Sequence, residues 1–295
     1  MRVEKYLEKH PLSLKDKKVL FVGWTGSIGF EAVKIIASYG AKLYLASRNL
    51  KKAETMIESL KEIYPDCVIE SFELGVSSLK NIDEFIDVIE KKDLHFDYYI
   101  NNAGVYHMPM VDTSEGYDLT FVTNTLGHIY LLKKMIPTLS VGAKVISTSS
   151  MSYKFYKNDL RNIALRSIKN KMKRYALSKQ ELVNAFMYLK ENTSRKDIEM
   201  NLVHPGIVPT ELFEKSHGKF FMTFIFPIMK VLFHSPRKAS LTLIHAMEVI
   251  TKNNEWIGPR GLIEAWGTPK ILRLKKSVLK NNETVYLSLN EIIEK

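Results

Sequence analysis

Short apolar runs alternate along this chain with longer stretches whose apolar residues return at helical spacing. Val19-Leu20-Phe21-Val22 is a continuous apolar run, the pattern of a strand buried on both faces of a parallel sheet. Ile28, Ala32, Val33, Ile35, Ile36 and Ala37 follow at near-helical intervals, and Gly40 marks the end of that helix. Residues 43–46 read as a second strand. Asn49 can cap a helix carrying Ala53, Met56, Ile57, Leu60 and Ile63, which stops before Pro65. The rhythm then repeats with a strand at 68–74, a helix over 79–89 and a strand at 98–100. A long helix is predicted over 119–136, a fifth strand at 144–146, a helix over 176–189 opened by Tyr175, and a sixth strand at 200–203. Strands alternating with helices in this way describe a parallel sheet with crossover helices. No repeat, linker or low-complexity block divides it, so one domain is expected.

Composition changes this picture little. The 295 residues, 45% apolar and 25% charged, suffice for a sizeable core and exclude wholesale disorder. One cysteine, Cys67, excludes an intrachain disulfide and suits a reducing compartment. Residues 1–18 lack the apolar stretch of a secretory leader, so a cytoplasmic location is expected. The net charge of +11 fits attraction to nucleic acid, anionic lipid or an acidic substrate, or simply a lysine-rich solvated surface. The lysines are scattered and no zinc-finger or helix-turn-helix pattern accompanies them. Neither a nucleic-acid partner nor a metal is expected.

The first candidate chemistry lies directly after the first strand. Gly23, Gly26 and Gly29, in Gly23-Trp24-Thr25-Gly26-Ser27-Ile28-Gly29, sit where a strand turns into a helix. Such a turn lets a pyrophosphate approach the backbone and meet the positive end of the helix dipole. The end of the second strand selects the nucleotide. An Asp or Glu there would hold a ribose 2′-hydroxyl and repel a 2′-phosphate. Ser47-Arg48-Asn49, followed by Lys51 and Lys52, offers instead a guanidinium suited to phosphate. NADP(H) is the expected cofactor, with a solvated basic turn as the bland alternative.

A tyrosine four residues before a lysine places both on one helix face, where the ammonium favours the phenolate. Three such pairs occur: Tyr130/Lys134, Tyr153/Lys157 and Tyr175/Lys179. Tyr153 lies in a polar stretch without helical period, and Tyr130 sits mid-helix beside Leu131 and Leu132. Tyr175 opens a helix after the loop that follows strand five, near the carboxyl ends of the strands where chemistry gathers. It is the preferred pair.

These features, in order, resemble the short-chain dehydrogenase/reductase family, particularly its retinol-dehydrogenase-like branch, over about residues 17–265. Besides the glycine turn and Tyr175-x-x-x-Lys179, the resemblance rests on Asn101-Asn102-Ala103-Gly104, Thr123-Asn124-Thr125-Leu126-Gly127-His128, Ser149-Ser150, and His204-Pro205-Gly206 through Thr210. It implies a single-domain, Rossmann-type doubly wound parallel sheet of about seven strands, with helices on both faces and a C-terminal substrate lid. The implied parts are a dinucleotide-binding half (17–110), a catalytic half (111–265) with its lid at about 211–236, and a C-terminal extension (266–295). It further implies an oxidoreductase in which Tyr175 exchanges a proton with the substrate oxygen. Lys179 would tune that tyrosine and bind the nicotinamide ribose, Ser150 would hold the substrate oxygen, and Asn124 would hold a relay water. Ser149 is the nearest alternative to Ser150. The cofactor would be held by Gly23, Thr25, Gly26, Ser27, Ile28, Gly29, Ser47, Arg48, Asn49, Asn102, Ala103, Gly104, Tyr175, Lys179, Pro205, Gly206, Val208 and Thr210. Three positions depart from the family pattern. Val22 replaces a threonine, Trp24 replaces a small residue and would crowd the adenine side, and Gly75 replaces an aspartate near the adenine.

Residues 220–233, Phe220-Phe221-Met222 through Leu232-Phe233, form an apolar stretch interrupted by Pro227 and Lys230, too short for a membrane span. As a lid it would suit a lipophilic aldehyde, ketone, retinoid or steroid. A peripheral membrane contact or an ordinary core or oligomer contact, including a homo-oligomer, are the alternatives. Arg161, Arg166, Lys169, Lys171, Lys173 and Arg174 precede the tyrosine and could meet an anionic substrate tail or simply solvate a loop. Against the enzyme stands one reading of another class, an NADP(H)-binding regulator or scaffold with little turnover.

Overall fold

In the computed structural model, which describes residues 2–157, 160–208 and 234–294, the apolar runs become inner strands of one eight-stranded sheet. Strands β1 (Lys18–Val22), β2 (Lys42–Ser47), β3 (Ile69–Glu73), β4 (Phe96–Asn101), β5 (Leu139–Thr148), β6 (Glu199–Val203) and β7 (Glu255–Pro259) are parallel. The last strand, β8 (Pro269–Arg273), pairs antiparallel with β7. The order β3-β2-β1-β4-β5-β6-β7-β8 reverses direction between β1 and β4. That switch point opens a crevice at the carboxyl ends of the strands.

Alternation along each strand shows why the sheet is covered twice. Val19 and Phe21 of β1 enter one hydrophobic core, while Leu20 and Val22 enter the other. Val145 and Ile146 of β5 divide in the same way. A strand with apolar residues on both faces has no side to turn to water, so helices must cover both. Helices α1 (Val3–Lys9), α2 (Ser27–Ser38), α3 (Leu50–Ile63) and α4 (Leu79–Lys91) lie in the first half of the chain. The second half carries α5 (Leu119–Phe121), α6 (Gly127–Met135), α7 (Lys171–Asn192), α8 (Pro236–Glu248), α9 (Lys276–Leu279) and α10 (Asn282–Ile293). No described helix is long and apolar enough to cross a membrane.

Several expectations hold at the level of single contacts. Asn49 caps α3, its side chain accepting from the Lys52 N–H at 3.0 Å. The C-terminal segment packs into the same core. Asn184 of α7 donates to the Val278 carbonyl at 2.7 Å, and Val285 and Leu289 of α10 are fully buried. Two helices differ from their predicted bounds. The helix predicted over 119–136 is interrupted by a π-helical turn, Val122–Leu126, between α5 and α6. Helix α7 starts a turn before Tyr175, because Asn170 accepts from the Lys173 N–H at 2.9 Å and caps it there. The run Lys171-Met172-Lys173-Arg174 is too polar to show a helical period, which hid that first turn. Most of the predicted lid, residues 209–233, lies outside the described residues.

Candidate active site

The cleft begins where the chain turns hardest. Between β1 and α2, Gly23 takes a φ of +75°, and a Cβ there would come within 2.5 Å of the Ala103 nitrogen. Only glycine permits that approach of the β1 and β4 ends. Gly26 is the N-cap of α2 and brings no side-chain hydrogen bond to it. The first N–H groups of the helix therefore keep their donors, and its positive dipole end, for an anion. Thr25, Ser27 and Ile28 line a cavity of about 400 Å³ with these two glycines. The same cavity passes Ser47 and Arg48 after β2 and Asn102, Ala103 and Gly104 after β4, and reaches Tyr175, Lys179 and Pro205. Arg48 and Lys52 stand exposed on its rim, and none of the described lining residues is Asp or Glu.

At the inner end, Ser150 hydrogen-bonds Tyr175, while Ser149, which lines the cavity, donates its hydroxyl to the Lys179 carbonyl at 3.2 Å. The two adjacent serines are thereby distinguished. Lys179 donates from Nζ to the Thr148 carbonyl at 3.1 Å, and burial pushes its ammonium down to about 7. Tyr175 keeps an edge on the cleft, yet the protein packed around its hydroxyl pushes it up to about 12. The hydrogen bond from Ser150 opposes that rise, and the neighbouring Tyr106 adds to it. The spacing argument alone, with an ammonium lowering the tyrosine, thus meets a stronger burial effect of opposite sign. The Tyr106 ring meets Tyr175 edge-on, with centroids 4.9 Å apart.

Asn124 lies in the π turn, behind the cleft wall. Its Oδ1 accepts from the Val105 N–H at 2.8 Å, and its Nδ2 donates to the Val105 carbonyl at 2.9 Å and to Ser178 Oγ at 3.0 Å. Thr125 Oγ1 donates to the Ser178 carbonyl at 2.8 Å. These bonds join the turn to α7 one residue before Lys179. Deeper still, His128 is buried beside Ser147, and burial, reinforced by the Lys179 charge, holds its imidazole well below its ordinary value and neutral.

A family profile described as short chain dehydrogenase matches residues 17–219. The chain belongs to the short-chain dehydrogenase family. Retinol dehydrogenase 13 of Homo sapiens is 28% identical over 234 residues, covering 77% of this chain and 71% of that one. The WW domain-containing oxidoreductase of Drosophila melanogaster is 27% identical over 264 residues, covering 86% of this chain but only 62% of that relative. Among solved structures, L-sorbose reductase from Gluconobacter frateurii, complexed with NADPH and L-sorbose, superposes with a TM-score of 0.63 at 15% identity, covering 80% of this chain and 90% of that one. The last likeness is one of fold. As a member of the short-chain dehydrogenase family, the chain is of an oxidoreductase type that uses a nicotinamide cofactor.

Several residues flagged for this short-chain dehydrogenase site stand elsewhere. Asn49, expected beside the nucleotide, spends its side chain on the α3 cap. Gly29 lies against the Trp24 backbone, Gly206 against the Ala265 carbonyl, and Val208 is buried. None of these four lines the cleft. Thr210 lies outside the described residues. Trp24 does not crowd the adenine side, because its ring is fully buried in the core near Phe30. Gly75 donates its N–H to Asn81 Oδ1. The competing tyrosines are structural. Tyr153 is buried edge-on against Trp256, and Tyr130 donates to Asp83 at 2.6 Å. Arg174, grouped with solvated loop cations, is instead buried 3.2 Å from Asp118. Ser178 and Tyr106 escaped notice. Ser178 was marked only by preceding the lysine, and Tyr106 only by following Gly104 by two residues.

Proposed function

We propose that this protein reduces the carbonyl group of a lipophilic aldehyde or ketone with NADPH, Tyr175 donating the proton. The observation that carries this reading is the single cleft from the uncapped α2 N-terminus, past Arg48 and Lys52, to the Tyr175 hydroxyl. The cleft fits a dinucleotide: it pairs bare helix donors with a rim of two cations and no described carboxylate. Gly23 and Thr25 to Ile28 would cradle the pyrophosphate, Ser47, Arg48 and Lys52 the 2′-phosphate, and Asn102 to Gly104 the adjoining ribose side. Pro205 would flank the nicotinamide, which would supply the hydride when bound.

The chain's own groups handle the oxygen and the proton. Ser150 orients the substrate oxygen beside the Tyr175 hydroxyl, and Tyr175 protonates it as negative charge develops. A tyrosine pushed up to about 12 stays protonated at working pH, so it is poised as an acid. Lys179 faces the same cavity and would hold the cofactor ribose, while Asn124, its amide clamped between Val105 and Ser178, would hold the relay water. Relatives named retinol dehydrogenase and the Tyr106 ring beside Tyr175 support a lipophilic substrate.

NADPH consumption against a panel of aldehydes, ketones and retinoids tests the proposal. Tyr175→Phe should lower turnover by about 10²-fold or more while nucleotide still binds. Undiminished turnover, or tight NADPH binding with no turnover on the whole panel, would sink it. Arg48→Ala should weaken NADPH far more than NADH. An equal effect on both removes the 2′-phosphate role.

A further inference from the structure

On the rim opposite the cleft, α1 ends against α8. His10 is the C-cap of α1, and His245 and Glu248 stand one turn apart near the end of α8. Among the described residues, these three form a cluster whose ligand atoms all lie within 4.8 Å of one another. His10 Nδ1 lies 3.2 Å from Glu248 Oε2, and His245 Nδ1 lies 3.6 Å from the same oxygen. Ligands bound at 2.0–2.1 Å in a tetrahedron stand about 3.3 Å apart, so two edges of the triangle are already near that spacing. The third closes by rotation of His10, which is partly exposed and free to adjust.

We propose that His10, His245 and Glu248 bind a zinc ion that clamps the N-terminal helix onto α8, with water in the fourth position. Two imidazoles and one carboxylate form a donor set that a borderline-soft divalent cation prefers over calcium or magnesium. Tyr6 currently hydrogen-bonds His245 Nδ1 at 2.9 Å and stacks on His10 with centroids 4.5 Å apart. It sets the His245 ring beside His10 and yields the nitrogen when the ion enters. The site lies where α8 ends and β7 has yet to begin, far in the fold from the carboxyl ends of the strands, so it acts on stability and not on the reaction.

The test uses the full chain with any purification tag removed. Zn²⁺ titration should show one saturable site per chain and raise the melting temperature. Co²⁺ in its place should give the visible bands of a tetrahedral centre. His10→Ala and Glu248→Gln should each weaken binding at least about tenfold, with nucleotide binding unchanged as the sign of a native fold. Tyr6→Phe, which removes the competing hydroxyl, should bind as well or better. No saturation at one equivalent would overturn the proposal, as would unaltered affinity in the folded His10→Ala and Glu248→Gln variants, or loss of binding in Tyr6→Phe alone.

Discussion

Arg174→Ala should damage this protein more than any other change among the cations that precede Tyr175. The Arg174 and Asp118 side chains are each 1% exposed, and Nε lies 3.2 Å from Asp118 Oδ1. The remaining guanidinium nitrogens donate to the Ile168 carbonyl at 2.9 Å and the Met108 carbonyl at 2.6 Å. Asp118 in turn caps α5, accepting from the N–H groups of Thr120 at 2.9 Å and Phe121 at 3.3 Å. Truncation leaves a carboxylate buried without its cation and two carbonyls without a donor. Removing one partner of such a pair costs about 3–5 kcal/mol. For a chain of this length that corresponds to a fall of about 5–8 °C in melting temperature. The loss should reach the chemistry too, because Arg174 adjoins Tyr175 and Asp118 caps the helix that leads into Asn124. Urea unfolding together with steady-state kinetics measures both, with kcat falling more than the nucleotide KM rises. The pair Arg174→Met and Asp118→Asn should recover at least about 1 kcal/mol relative to the sum of the single changes. A single-mutant loss below about 1 kcal/mol, or simple additivity, would refute the buried-pair account.

Two further outcomes follow from the geometry. Gly127→Ala, which in an ordinary exposed helix would stabilise, should here destabilise by at least about 1–3 kcal/mol, because its Cβ would lie 1.9 Å from the Val76 carbonyl oxygen. An unfolding midpoint that rises would mean the α6 approach to Val76 is looser than described. If the proposed reduction holds, both Lys179 and Tyr175 act in their protonated forms, so the acid side of the profile should be flat. kcat/KM for NADPH should then fall as pH rises through about 7, where the Lys179 ammonium loses its proton, with Tyr175 adding no limb until about 12. A profile still flat at pH 9, measured with a stable substrate, removes Lys179 from that role.

Strand positions were legible because a doubly covered sheet imposes continuous apolar runs, and β1 announces itself in four residues. The antiparallel β8 was not, since Pro269-Lys270-Ile271-Leu272-Arg273 is short, half polar and partly exposed at a sheet edge. The glycine turn and Arg48 could be placed because their chemistry is local to one strand–helix junction. Asn124 could be flagged only by resemblance. Its function in the fold depends on Val105 and Ser178, which are 19 and 54 residues away. Periodicity could not reveal the π turn either, since residues 120–129 are all buried and leave no exposed face whose phase could shift. Arg174 was misplaced for a related reason. A cation among cations in sequence carries no sign that its partner, Asp118, waits on another helix.

The same logic explains His204, whose motif drew attention through Pro205 and Gly206. His204 is fully buried and stacks on Trp256 with centroids 4.1 Å apart, and its Nε2 lies 3.2 Å from Glu264 Oε2. Glu264 also takes the Lys154 ammonium. Burial alone would raise the Glu264 carboxyl, but the bonds from His204 and Lys154 more than offset it and hold the group ionised. Nδ1 of His204 meanwhile accepts from the Gly206 N–H at 3.3 Å. One partly buried carboxylate therefore ties the segment after β5, through Lys154, to the segment after β6, through His204. Pro205 on the cleft wall is fixed between them. The glycine end of the cleft is set by backbone turns and the Tyr175 end by α7. This charged tie sets the wall that faces them, and it does so with no group that itself touches the cleft.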